Sequence, residues 1–262
     1  MPSIKQLKRQ YRHLIPFPRR TTWRRWFPDK HTQNLAYLLE QQGIDVILDI
    51  GANIGQFGEK IIGAGFEGQL VSFEPLPETH KELQRRATQF SQWHVPDPIA
   101  LGPSRSMLTM HLYDSSALAS SHLIDQSELS DQSHLRCIGT TQVEQVPLDE
   151  VYFDYVGKDV RSLIKIDVQG AEMEVFKGAR KSLEQAQGIH IEVSFSKLYE
   201  GESYYLDVLS YLRELGFAVY ALSPISSKFR FGPVLQMDAL LFRDPALLSH
   251  FKPADMSESK AG

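Results

Sequence analysis

The chain has 262 residues, with 42% apolar and 23% charged types and a formal charge of -4, the make-up of an ordinary globular protein rather than of a disordered, collagenous or coiled-coil one. Its single cysteine, Cys137, excludes an internal disulfide and any paired-cysteine zinc or redox motif. No run reaches the ~18 apolar residues of a membrane span, and the basic N-terminus lacks the apolar stretch of a signal peptide, so the expectation is a cytoplasmic protein.

Residues 1–30 carry nine Lys/Arg against one acid, Asp29, interleaved with Tyr11, Phe17, Trp23, Trp26 and Phe27. Such an arm suits peripheral contact with an anionic membrane surface or an anionic acceptor; the plainer reading lays it on the acidic remainder of the chain. That acidic remainder disfavours a nucleic-acid partner.

His31 to Gln42 then reads as a helix, with Leu35, Leu38 and Leu39 on one face and Gly43 to end it. Short apolar runs follow at 46-VILDI-50, 70-LVSFEP-75, 163-LIKIDV-168 and 189-IHIEVSF-195. Runs this short, rich in β-branched residues and alternating with helical segments, predict buried parallel strands in a doubly wound α/β sheet. Phe57, Ile61 and Ala64 mark the helix after the first run; Val175, Phe176, Ala179, Leu183 and Ala186 mark one stripe after the third, stopping before Gly188. Lys165, inside an apolar strand, reads as a sheet face covered by its own stem and is given no chemistry.

Two regions break the rhythm. The alternating stretches 107-MLTMHLY-113 and 140-TTQVEQV-146 predict an antiparallel pair around a serine-rich excursion, and a loop that long is a candidate substrate lid spanning 114–140. A helix over 203–215 and runs 217-FAVYAL-222 and 234-VLQMDALLFR-243 predict a closing hairpin. The domain expectation is a basic arm and helix over 1–43, one α/β domain over 44–245 and a polar tail over 246–262.

The strongest chemical signal is 49-DIGANIGQF-57, a glycine turn between a strand and a helix. Gly51 and Gly55 permit a tight turn and are expected to aim backbone N–H groups at a ligand. No GK[ST] follows, which excludes a Walker loop. Asn53 stands where a dinucleotide fingerprint has its second glycine, which suits a nucleoside without a diphosphate. Glu74 ends the next strand 23 residues after Gly51, near the ~20-residue offset at which an acid takes ribose hydroxyls.

Together D-I-G-A-N-I-G and F-E-P resemble the S-adenosylmethionine fold of class I methyltransferases. The stretch 164-IKIDVQGAEMEVFKGA-179, with 98-PIALG-102, 146-VPLDEV-151, 190-HIEVSF-195 and 238-DALLF-242, is similar to the signature of the FkbM family of these enzymes, from about Val46 to Arg243. Gln169 departs from that pattern, which usually carries an acid (DxEGAE); an amide fills similar space but supplies neither a base nor charge for a metal.

The resemblance implies a mostly parallel seven-stranded sheet with an antiparallel C-terminal strand, and S-adenosylmethionine as cofactor. It implies that the backbone of Gly51, Ala52, Asn53 and Gly55 lines the methionine and ribose side, with Asp49 fixing the turn and reaching the ligand's amino group. Glu74 would hold the ribose, and adenine would rest near Pro75 and the 97-DPIA-100 turn, where Asp97 or backbone at Ala100 meets its amine. Asp167 would sit near the reactive methyl. The acceptor implied is a hydroxyl on a sugar, glycan or secondary metabolite, with the basic arm suiting a phosphorylated or lipid-linked one.

An alcohol must also lose its proton. Three devices are available: a carboxylate base (Asp167), a histidine base (His122), or a divalent metal, Mg²⁺ by its oxygen ligands, held by Asp167 and Glu192. Glu172 and Glu174 read as helix N-terminal caps. The competing readings are an N-methyltransferase, a nucleotide-dependent oxidoreductase weakened by Asn53, and a non-catalytic nucleoside-binding module; oligomeric state is left open.

Overall fold

A computed structural model describes residues 30–113, 119–124, 136–197, 199–227 and 233–244. The basic arm before residue 30, the middle of the expected lid and the polar tail lie outside the described residues.

The chain opens with helix α1 (Lys30–Gln41), strand β1 (Val46–Ile50), α2 (Gln56–Gly63), β2 (Gln69–Phe73), α3 (Pro77–Ala87), β3 (Trp93–His94) and β4 (Ala100–Leu101). It continues with β5 (Ser106–Tyr113), β6 (Ala119–Ser120), β7 (Cys137–Val146), α4 (Leu148–Tyr155), β8 (Ser162–Ile166), α5 (Glu172–Lys177) and α6 (Arg180–Gln185). It closes with β9 (Gly188–Ser194), α7 (Tyr205–Glu214), β10 (Phe217–Ser227) and β11 (Val234–Arg243). Among the described residues no helix is long and apolar enough to cross a membrane.

Seven strands form one sheet in the order β10-β11-β9-β8-β1-β2-β3. Its pairs are parallel from β3 to β9, and β11 runs antiparallel to both β9 and β10, the arrangement that the sequence resemblance implies. The expected antiparallel pair is β5 with β7, and it belongs to a separate four-stranded sheet, β4-β7-β5-β6.

Alternation along the strands divides the core. Leu48, Ile50, Ile164, Ile166, Ile189 and Ile191 turn to the α4–α7 side. Ile47, Leu70, Leu163, Leu240 and Phe242 turn to the α1–α3 side, where Leu35, Leu39, Ile61 and Leu83 cover them. Truncating one of these fully buried side chains to alanine is worth about 2–5 kcal/mol.

Two expectations about boundaries are revised. β2 stops at Phe73 and β8 at Ile166, so Glu74 and Asp167 stand just past the carboxyl ends of the two strands that flank β1 rather than within them. The stripe expected as one helix after Asp167 is broken into α5 and α6. A Cβ on Gly178 would lie 1.9 Å from the carbonyl oxygen of Gly102, and the Gly178 carbonyl accepts the Asp149 N–H at 2.9 Å, so the backbone turns there to meet α4.

Candidate active site

The glycine turn has three residues in the left-handed region: Gly51 at φ 75°, Asn53 at 50° and Gly55 at 88°. At Gly51 the need for glycine is steric as well as conformational, because a Cβ would fall 1.9 Å from the Asp167 carbonyl oxygen. The N–H groups of Gly51 through Gly55 are all committed internally. Gly51 and Ala52 donate to Phe73 O at 3.1 and 3.0 Å, and Gly55 donates to Ala52 O at 2.9 Å. Asn53 N–H donates to Glu74 Oε2 at 3.0 Å, and Ile54 N–H to Asn53 Oδ1 at 2.6 Å. Gly51 and Asn53 line the cavity described below, but these five N–H groups are spent within the protein rather than aimed at a ligand. What the turn does is grip the end of β2 and orient Glu74.

Glu74 Oε1 accepts a second backbone N–H, from Leu76 at 3.1 Å. Burial pushes its carboxyl up from an ordinary 4.5 to about 7, against the pull of these two hydrogen bonds. A carboxyl in that state gains from any ligand that donates hydroxyl protons to it.

Asp49, Ser72, Lys165 and His190 occupy one row across four adjacent strands, on the α1–α2 side. The Trp93 indole donates to Ser72 Oγ at 2.9 Å, and Ser72 Oγ–H to Asp49 Oδ2 at 3.1 Å. Lys165 Nζ lies 2.9 Å from Asp49 Oδ1 and 3.5 Å from Asp167 Oδ2. Burial opposes the ammonium, but the two carboxylates outweigh it and hold the Lys165 pKa above its ordinary value. Lys165 is thus an ion-pair centre, not a stem covering a sheet face. Asp49 is wholly buried and is bound to Lys165 and Ser72; it does not line the cavity, so the expected contact with a ligand's amino group finds no support.

A cavity of about 550 Å³ opens at the carboxyl ends of the strands, within the usual range for small-molecule sites. Gly51, Asn53, Glu74 and Pro75 line one wall, and Asp167 with Gln169 another. The small sheet roofs it: Leu108, Met110 and Leu112, at alternate positions of β5, face in. Of the expected cofactor residues, Ala100 also lines it, whereas Ala52, Gly55 and Asp97 do not. Gly55 instead lets the chain pass Trp93 and Leu83, which would stand 2.7–2.8 Å from a Cβ there.

His122 does not line the cavity; its N–H donates to Ser120 Oγ at 3.0 Å, and its buried Nδ1 has no hydrogen-bond partner. Glu192 is also outside the lining. Its Oε1 accepts from the Gln236 amide, and burial with Asp167 and Glu172 nearby pushes its carboxyl up to about 9.

Asp167 and Glu192 do not fit a Mg²⁺ site. Asp167 is taken up by Gln169 and Lys165, Glu192 by an amide, and the Lys165 ammonium already supplies the positive charge. The group of metal-ligand type among the described residues is different: His31, His190 and Asp238, with ligand atoms within 4.8 Å of one another.

Sequence reasoning treated Gln169 only as a departure from a pattern and passed over Tyr199. The Gln169 amide donates to Asp167 Oδ1 at 2.8 Å and accepts from the Tyr199 hydroxyl at 2.7 Å. No sequence signal short of the fold brings residues 30 apart into this contact. Glu172 stands in the first turn of α5 but does not cap it: its carboxylate reaches back to accept from the N–H groups of Val168 and Gly170 in the preceding loop at 3.3 and 3.2 Å.

The FkbM methyltransferase domain profile matches residues 49–219, most of the chain and every residue that lines the cavity. The chain is 28% identical over 176 residues to the 2-O-methyltransferase NoeI of Sinorhizobium fredii (strain NBRC 101917 / NGR234), covering 65% of this chain and 71% of that one. It is 28% identical over 142 residues to Methyltransferase 1 of Beauveria bassiana (strain ARSEF 2860), covering 50% and 57%. Among solved structures, magnesium protoporphyrin IX methyltransferase from Synechocystis PCC 6803 aligns over 92% of both chains with TM-score 0.45 and 11% identity. The methyltransferase domain of bacterial CtHen1 aligns over 82% of this chain and 97% of that one, with TM-score 0.47 and 8% identity. With a profile match over the glycine turn, Glu74 and the Asp167 loop, the chain belongs to the FkbM family of S-adenosylmethionine-dependent methyltransferases.

Proposed function

We propose that this methyltransferase acts on a hydroxyl of a glycan or secondary-metabolite acceptor, with Asp167 as the base. The observation that carries the reading is that Glu74 and Asp167, from the ends of two different strands, open into one cavity. Glu74 would take the ribose hydroxyls of S-adenosylmethionine, with Gly51 and Asn53 against the same ligand, and Pro75 and Ala100 beside its adenine. S-adenosylmethionine supplies an electrophilic methyl on a sulfonium. The acceptor oxygen would take that methyl as the C–S bond breaks with its electron pair left on sulfur, giving S-adenosylhomocysteine, and Asp167 would accept the hydroxyl proton. Positioning supplies much of such a displacement's rate, and the apolar roof of Leu108, Met110 and Leu112 would keep water from a methyl held in the cavity. A hydroxyl acceptor is favoured by the relation to NoeI, a 2-O-methyltransferase.

Titration calorimetry with S-adenosylmethionine and S-adenosylhomocysteine tests the cofactor half; micromolar binding of both is expected. Transfer of labelled methyl to a panel of sugars and natural-product alcohols tests the other half. Asp167→Asn is expected to keep S-adenosylhomocysteine affinity and to lose transfer; an unchanged rate would remove Asp167 as base. The basic arm would bring an anionic or lipid-linked acceptor to the domain. Replacing Arg19, Arg20, Arg24 and Arg25 by Ser would then raise acceptor KM or lower recovery with membranes, and a null result on both counts would end that idea.

A further inference from the structure

We propose that Gln169 is the positioning residue that joins the acceptor-side wall of the cavity to Asp167, and that an amide there is a requirement of this site rather than a neutral replacement for an acid. The inference rests on the reading of Asp167 as the base.

Asp167 is held from two directions. Lys165 approaches Oδ2 from the sheet, and the Gln169 amide donates to Oδ1 at 2.8 Å. The other end of the Gln169 side chain accepts the Tyr199 hydroxyl at 2.7 Å. Those two partners fix the orientation of the amide: a carboxylate can only accept, and burial raises the Tyr199 pKa so that it stays a donor at neutral pH. The Gln169 backbone is held as well. It sits in the left-handed region at φ 55°, a conformation costly for a residue with a Cβ, and its carbonyl accepts Ser120 Oγ–H at 2.6 Å.

Ser120 and Tyr199 belong to one wall. Ile124 and Tyr199 form an antiparallel bridge, Glu200 N–H donates to Leu123 O at 2.8 Å, and the Tyr113 hydroxyl donates toward His122 O while accepting the Ile124 N–H at 3.0 Å. Ala119 and Ser121 of the same segment line the cavity. Tyr199 also packs against Gly170, where a Cβ would stand 2.9 Å from the tyrosine's own. An acceptor resting on the 119–124 wall therefore bears on Asp167 through the Gln169 amide. Ionised, a glutamate at 169 could not donate to Asp167 and would repel it. Protonated, the same side chain could donate to Asp167 and accept from Tyr199 again.

The test uses the 262-residue chain with Gln169→Met, Gln169→Glu and Tyr199→Phe. S-adenosylhomocysteine affinity by calorimetry and thermal unfolding are expected to stay near the parent's, within about threefold in Kd. With the hydroxyl acceptor found in the panel above, kcat is expected to fall about 10- to 100-fold in Gln169→Met at every pH, the scale of one lost hydrogen bond to a charged group. In Gln169→Glu the same loss is expected at pH 8 but largely recovers near pH 5.5. A Gln169→Met enzyme with parental kcat, or a Gln169→Glu deficit that does not change with pH, would overturn the proposal. A readout free of acceptor is the Gln169 side-chain amide signal in ¹H–¹⁵N spectra, assigned by its absence in Gln169→Met. It is expected to move in both Asp167→Asn and Tyr199→Phe; no movement in either would break the link. If Asp167→Asn methylates at the parental rate while that signal still moves, the base assignment fails and the network stands.

Discussion

The ionisation of Glu74 offers the sharpest test of the cofactor site. In the ligand-free protein its pKa lies near 7, against 4.5 ordinarily, because burial outweighs the two N–H donors of Asn53 and Leu76. Below pH 4.5 the group is protonated whether the chain is folded or not. Between 4.5 and about 7 the folded protein holds more protons than the unfolded one, so this group removes stability as pH rises and levels off above 7. At about 1.36 kcal/mol per pH unit the full gap amounts to about 3 kcal/mol. A nucleoside that donates two hydroxyls to the carboxylate favours the ionised form and draws the pKa down, so binding must expel a proton. At pH 7 about half of the Glu74 side chains carry one, and calorimetry of S-adenosylhomocysteine in buffers of different ionisation enthalpy should read about half a proton released. Affinity should tighten by up to about tenfold per pH unit from pH 5 to 7 and flatten above 8. Glu74→Gln should show no release and bind about 10- to 100-fold more weakly at pH 8, the scale of lost charge-assisted hydrogen bonds. Proton release close to zero in the parent, or parental affinity in Glu74→Gln, would refute the assignment of Glu74 to the ligand's hydroxyls.

Three other outcomes follow from the same geometry. Lys165→Met leaves the wholly buried Asp49 carboxylate without its cation and should cost about 3–5 kcal/mol in urea unfolding, much of it restored by adding Asp49→Asn; an additive double mutant would contradict the pairing. Gly51→Ala puts a methyl 1.9 Å from the Asp167 carbonyl oxygen at φ 75°, so it should lower Tm by several degrees and weaken S-adenosylhomocysteine binding, whereas Gly63→Ala, with open space around its Cβ position, should do neither. Glu172 is fully buried and pushed up to about 7 by that burial, so Glu172→Gln should gain stability relative to the parent between pH 5 and pH 8, by up to about 3 kcal/mol; a difference that stays constant with pH would show that the carboxyl does not titrate there.

The strand–turn–helix at Asp49–Phe57 and the acid at Glu74 were legible because each depends on local rules. A buried parallel strand must be a short apolar run, a left-handed turn at a helix start selects glycine or asparagine, and the length of one βαβ unit fixes how far on the second acid falls. For the same reason Leu108, Met110 and Leu112 could be read as one face of a strand before anything was known of the cavity that they roof. Other properties depend on residues far apart in the chain. The turn's N–H groups could be given to a ligand or to the end of β2, and the position of Phe73 and Glu74 decides for β2. Lys165 looked like an anomaly in an apolar strand until the sheet order put Asp49 on the neighbouring strand in the same row. Gln169 looked like a mere departure from a pattern until the bridge of Tyr199 to Ile124 set the tyrosine hydroxyl beside its amide. Local sequence sets backbone conformation and which face is apolar, since these depend on near neighbours. Which polar groups satisfy one another inside the protein is a matter of long-range packing, and the tertiary structure decided it.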